Sequence, residues 1–98
     1  MGHAVRNCPD RAPRFPLTVP VHFRKSGMSH WLEGHSINMS RTGILVNTDG
    51  EIIPPPSLLD IRVNFPRDLV IECQGSVVRL DGSAFAVRIH NCHLLHQP

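Results

Sequence analysis

The chain has 98 residues, nine of them proline and seven glycine, and a formal net charge of +2. That length supports one domain with a thin core, and 41% hydrophobic residues exclude a disordered chain. The charge is too low for a nonspecific nucleic-acid binder, so neither DNA nor RNA is an expected partner, although a local arginine cluster could still hold a small dianion.

Residues 1–15 are polar, basic and broken by proline, and read as a flexible arm. From Pro16 to Arg24 the alternation is clean: Leu17, Val19, Val21 and Phe23 on one face, Thr18, Pro20, His22 and Arg24 on the other. Period two predicts a half-buried strand, and Pro20, which has no ladder donor, suggests an edge strand or one whose N–H positions face outward there. Lys25-Ser26-Gly27 turns the chain into a second strand over Ser29 to Ile37, where Gly34 marks a bulge or bend.

A loop over Asn38 to Gly43 follows, then a third strand with Ile44 and Val46 on one face, ending at Thr48-Asp49-Gly50. The three prolines of Ile52 to Ser57 remove three donors, so that segment crosses in extended form without joining a sheet centre. The fourth strand points Leu59, Ile61, Val63 and Phe65 inward and Asp60, Arg62 and Asn64 outward; Pro66-Arg67-Asp68 ends it. The fifth, Leu69 to Arg79, has Ile71, Cys73 and Val77 on one face and a bend at Gly75. Asp81-Gly82 is a hairpin signal, and the sixth strand buries Phe85, Val87 and Ile89. The barrel ends near residue 91, and 92–98 read as a short polar tail. Six strands, frequent turns and no helical period point to an antiparallel barrel or sandwich.

The three cysteines, Cys8, Cys73 and Cys92, are odd in number and form no CxxC pair, which argues against a disulfide framework. No apolar run approaches the roughly 18 residues of a membrane helix. The N-terminus lacks the apolar core of a secretory signal. A soluble cytoplasmic protein with no membrane insertion is the expectation.

Several groups of residues could carry chemistry. In Asn38-Met39-Ser40-Arg41-Thr42-Gly43 the polar side chains and a positive-φ glycine serve an ordinary turn; the same atoms and bared N–H groups could cradle an anion. Arg11, Arg14 and Arg6 could be a solvated basic arm, or could pair with phosphate and guanine through the planar guanidinium. Trp31 could stack on a purine or simply fill a half-buried strand position. His90, Cys92, His93 and His96 are possible zinc ligands, but their spacing fits no zinc pattern, and no metal is expected. His30 and His35 near Glu33 supply no nucleophile with a base and an orienter, so no catalytic residue is assigned and no enzyme is expected.

The loop fits [Asp/Asn]-x-Ser-x-x-Gly, and Arg11-Ala12-Pro13-Arg14 lies upstream of the first strand. In these features the chain resembles the PilZ domain family, from residue 10 to residue 91. The resemblance implies a six-stranded antiparallel β-barrel of split-barrel, Greek-key type with a flexible N-terminal arm. It implies cyclic di-GMP as ligand, a bacterial second messenger, with no further cofactor. Arg11 and Arg14 would clamp phosphate and guanine, Asn38, Ser40 and Gly43 would form the floor, and Arg41 would help with phosphate. Family members can take the ligand as a stacked pair, and the ordered arm would then be read by a downstream protein. One departure stands out: the family's Arg-x-x-x-Arg, aligned on Arg14, puts Asp10 where the first arginine belongs. That substitution favours the alternative, a PilZ-like adaptor that works in pilus assembly or motility by protein contact without the nucleotide.

Overall fold

The computed structural model describes residues 15–16 and 18–96. All of its regular structure is strand: β1 (Phe15–Pro16), β2 (Pro20–Lys25), β3 (Leu32–Met39), β4 (Gly43–Asn47), β5 (Ser57–Phe65), β6 (Leu69–Asp81) and β7 (Ala84–His96). Every pairing is antiparallel. The strands run β2-β5-β6-β7-β4 around the wall, and β3 closes the circle by pairing with both β4 and β2. The result is a six-stranded barrel, with β1 added beside the far end of β3. Closure removes most of the strand edges that an open sheet of this size would expose.

The inward residues are those the alternation selects. Val21, Phe23, Val46, Leu59, Ile61, Val63 and Phe85 are essentially buried. Phe23 and Phe85 meet edge to face with ring centroids 5.0 Å apart at the centre. Burying each such side chain contributes about 1.5 to 3 kcal/mol, the main driving force for so small a barrel. The proline-rich crossing delivers Ile53 to this core.

Six local expectations change. The first strand is interrupted. Between the pairs Pro16↔Asn38 and Pro20↔His35 it carries one more residue than β3 does. Ser36 holds the break together: its N–H donates to Val19 O at 3.0 Å, and its Oγ accepts the Val19 N–H at 3.1 Å. Pro20 does not mark an edge, since β2 is paired on both sides; the proline is tolerated as the strand's first residue. Next, β3 begins later than expected and runs through Met39, so Asn38 stands on a strand and not in the loop. Gly34 is not the bulge itself, which falls between Ser36 and Asn38. A Cβ at Gly34 would lie 2.5 Å from Asn47 O, so its role is close packing.

The other two changes concern β7. It does not stop near residue 91 but continues through His96, paired with β6 as far as Val70. The sequence of this end lacks alternation; the long edge of β6 supplies the pairing that local pattern could not reveal. Cys73 and Cys92 fall directly opposite each other, with Cα atoms 4.0 Å apart, and form a disulfide. An odd cysteine count argues nothing about a pair that the strand register brings together.

Candidate functional site

The loop joining β3 to β4 is reduced to Ser40, Arg41 and Thr42. Ser40 N–H donates to Gly43 O at 2.8 Å, closing a tight turn. The Ser40 hydroxyl accepts the Thr42 N–H at 3.2 Å and lies 3.5 Å from Gly43 O and 3.4 Å from Thr42 Oγ1. Ser40 is buried, so its side chain shapes the loop and does not project from it. Thr42 O accepts the Ile89 N–H at 2.9 Å, which ties the turn to β7. Gly43 is not in the positive-φ region as expected. A Cβ there would stand 3.2 Å from Val87 O, so glycine is used for close approach between β4 and β7.

Beside the turn lies an open groove of about 450 Å³ across β4, β6 and β7. Thr42, Gly43, Val78, Arg79, Arg88 and Ile89 are among its lining residues. Arg88 pairs directly with Gly43, and Arg79 sits on β6 opposite Ala86. Both arginines are exposed, as is Arg41 at the tip of the turn, and none of the three has a carboxylate partner among the described residues. Arg24 and Arg62 are different. Arg24 Nε donates to Asp60 Oδ2 at 3.0 Å and Arg62 Nε to Glu72 Oε1 at 2.8 Å. Both guanidinium groups also contact the Trp31 ring, 4.3 and 4.4 Å from its centroid. The two arginines of the β2–β5 wall, Arg24 and Arg62, are therefore paired, while those of the groove by the turn are left unpaired among the described residues and available to an anion.

The structure gathers Asn38, Ser40, Arg41 and Gly43 at one end of β3 and β4. The half-buried Asn38 side chain has no hydrogen-bond partner among the described residues. Arg11 and Arg14 lie outside the described residues. Phe15, the residue bonded to Arg14, pairs with Met39, the residue bonded to Ser40. Trp31 stands at the opposite end of β3, so it takes no part in the groove. Glu33 meets His22 Nε2 at 3.9 Å on the surface. Among the described residues no three histidine, cysteine or acidic side chains converge on a metal position, and Cys92 is already bonded to Cys73. Sequence reasoning missed Arg79 and Arg88. Arg88 reaches the turn through the pairing of β4 with β7, and Arg79 is set beside it by the pairing of β6 with β7, past a register shift that no local pattern records.

A closed six-stranded barrel with a cationic groove beside a serine-glycine turn defines a small binding module. The sequence model of the PilZ domain matches residues 10–94, and the chain belongs to the PilZ domain family. The fold agrees with the crystal structure of the PilZ domain of CeSA from a cellulose-synthesizing bacterium. The TM-score is 0.66 at 17% identity, with 82% of each chain covered. No curated protein matches the chain. Among the described residues no helix is long and apolar enough to cross a membrane.

Proposed function

We propose that this chain is a cytoplasmic receptor for cyclic di-GMP that passes its signal to a protein partner by binding, without turnover. One observation carries the reading: the groove beside Thr42 and Gly43 is flanked by Arg79 and Arg88, two exposed guanidinium groups without acidic partners among the described residues. A ligand with two phosphates and two guanines needs planar multi-donor groups, and guanidinium serves both phosphate oxygens and guanine O6 and N7. Phe15, the residue after Arg14 in sequence, pairs with Met39 beside the turn. In this reading Arg14, Arg11 and Asn38 complete the site that Arg41, Arg79 and Arg88 begin, and Ser40 and Gly43 hold the turn in shape. Ligand binding then alters the surface at this end of the barrel, and that surface is what the partner reads.

Calorimetric titration with cyclic di-GMP tests this. A charge-assisted contact contributes about 1.5 to 3 kcal/mol, so Arg14→Ala and Arg88→Ala should each weaken binding by about 10- to 100-fold. Arg67→Ala, in the turn between β5 and β6, should bind as the parent does. Raising the salt concentration should weaken the parent's binding. No heat of binding, or full affinity in both arginine variants, would turn the reading to the adaptor, which Asp10 in the arm favours.

A further inference from the structure

The His90–His96 end of β7 differs from the rest of the barrel. β4 pairs with β7 only from Ala84 to Arg88, and Thr42 O takes the Ile89 N–H. Beyond that point β6 is the only strand beside β7 among the described residues. The register also slips there: Gly75 faces Ile89, whereas Gln74 faces Asn91, so His90 is an extra residue on β7. A bulge weakens the ladder locally. The Cys73–Cys92 bond lies just past the bulge and, among the described residues, is the one covalent cross-link from this end to the neighbouring strand. Its two sulfurs are unequally placed: Cys73 is 1% exposed in the inner layer, while Cys92 is exposed.

We propose that Cys73 and Cys92 form a reversible thiol–disulfide switch, with small thiols of the glutathione type as exchange partners, and that its state sets how firmly the His90–His96 end is held. Cys92 is the exposed member of the pair, so exchange starts at its sulfur. A glutathione thiolate attacks it, a new S–S bond forms, and the Cys73–Cys92 bond breaks. Cys73 leaves as thiolate and takes a proton. A second glutathione thiolate then attacks the glutathione sulfur of the mixed disulfide, releasing Cys92 as a thiol and oxidised glutathione. Two glutathiones are thereby oxidised and one protein disulfide reduced; excess oxidised glutathione reverses both steps. With the bond open, a bulged strand with a single neighbour loses its pin, and the end frays.

The test uses the full chain with Cys8→Ser, so that only this pair can exchange. The protein is equilibrated in glutathione buffers from fully reduced to fully oxidised, alkylated and weighed, and amide exchange is followed in both forms. We expect conversion between the two forms within that range, a trapped glutathione adduct on Cys92 and not on Cys73, and exchange at residues 91–96 faster by about tenfold or more in the reduced form. Cys92→Ser, which leaves the core untouched, should exchange as the reduced form does. A pair that stays oxidised in excess reduced glutathione overturns the proposal. So does an adduct on Cys73, or equal exchange in the two forms. None of these readouts needs a nucleotide, so they stand whether or not cyclic di-GMP binds.

Discussion

The hydroxyl of Ser36 is fully buried and accepts the N–H of Val19, itself almost without solvent access. It substitutes for a ladder bond where the first strand carries an extra residue. Removing it strands a buried donor, which costs about 1 to 3 kcal/mol. Ser36→Ala should therefore lower the midpoint of urea unfolding by that amount of stability, with the slope unchanged. Ser40 makes the contrast. Its hydroxyl also turns inward, but to the Thr42 amide of its own turn, so the serine of the Asn-x-Ser-x-x-Gly pattern builds the site's frame. The pattern was legible in the sequence; the division of labour within it was not. Among the described residues Asn38 and Arg41 keep their side chains uncommitted, whereas Ser40 and Gly43 are consumed by the geometry of the turn.

Among the elements, β5 and β6 show how far period two reaches. Leu59, Ile61 and Val63 point inward as their alternation requires, because the strand has neighbours on both sides and one face on the core. Gly75 adds a constraint that alternation does not express. A Cβ there would lie 2.5 Å from Arg88 O and 2.7 Å from Val87 Cγ1, so β6 and β7 approach more closely than any other residue allows. Gly75→Ala should push β7 outward and destabilise the barrel by about 1 to 3 kcal/mol. Because Arg88 lies on that displaced stretch, the same variant should bind cyclic di-GMP more weakly than its lost stability alone explains, as read by titration well below its melting temperature. The end of β7 escaped sequence reading for the opposite reason. His90-Asn91-Cys92-His93 has no apolar rhythm, and its strand character comes from the partner edge of β6.

At the scale of the whole barrel, the site is assembled by closure. Gly43 and Arg88 are far apart in the chain, and they become neighbours only because β4 is inserted between β3 and β7. Sequence patterns record what one segment does; they do not record which segments meet, so the turn was visible while Arg79, Arg88 and the Cys73–Cys92 bond were not. The mismatch in length between β4 and β7 has an outcome for the molecule's company. From His90 to His96 every second backbone amide and carbonyl looks away from β6, with no other strand beside it among the described residues and no lysine, arginine, aspartate, glutamate or proline in that run to repel a visitor. Concentrated protein should self-adhere along this unguarded seam, and Leu94→Lys, at a position 51% exposed, should suppress the rise of scattering mass with concentration while leaving the melting temperature near that of the parent.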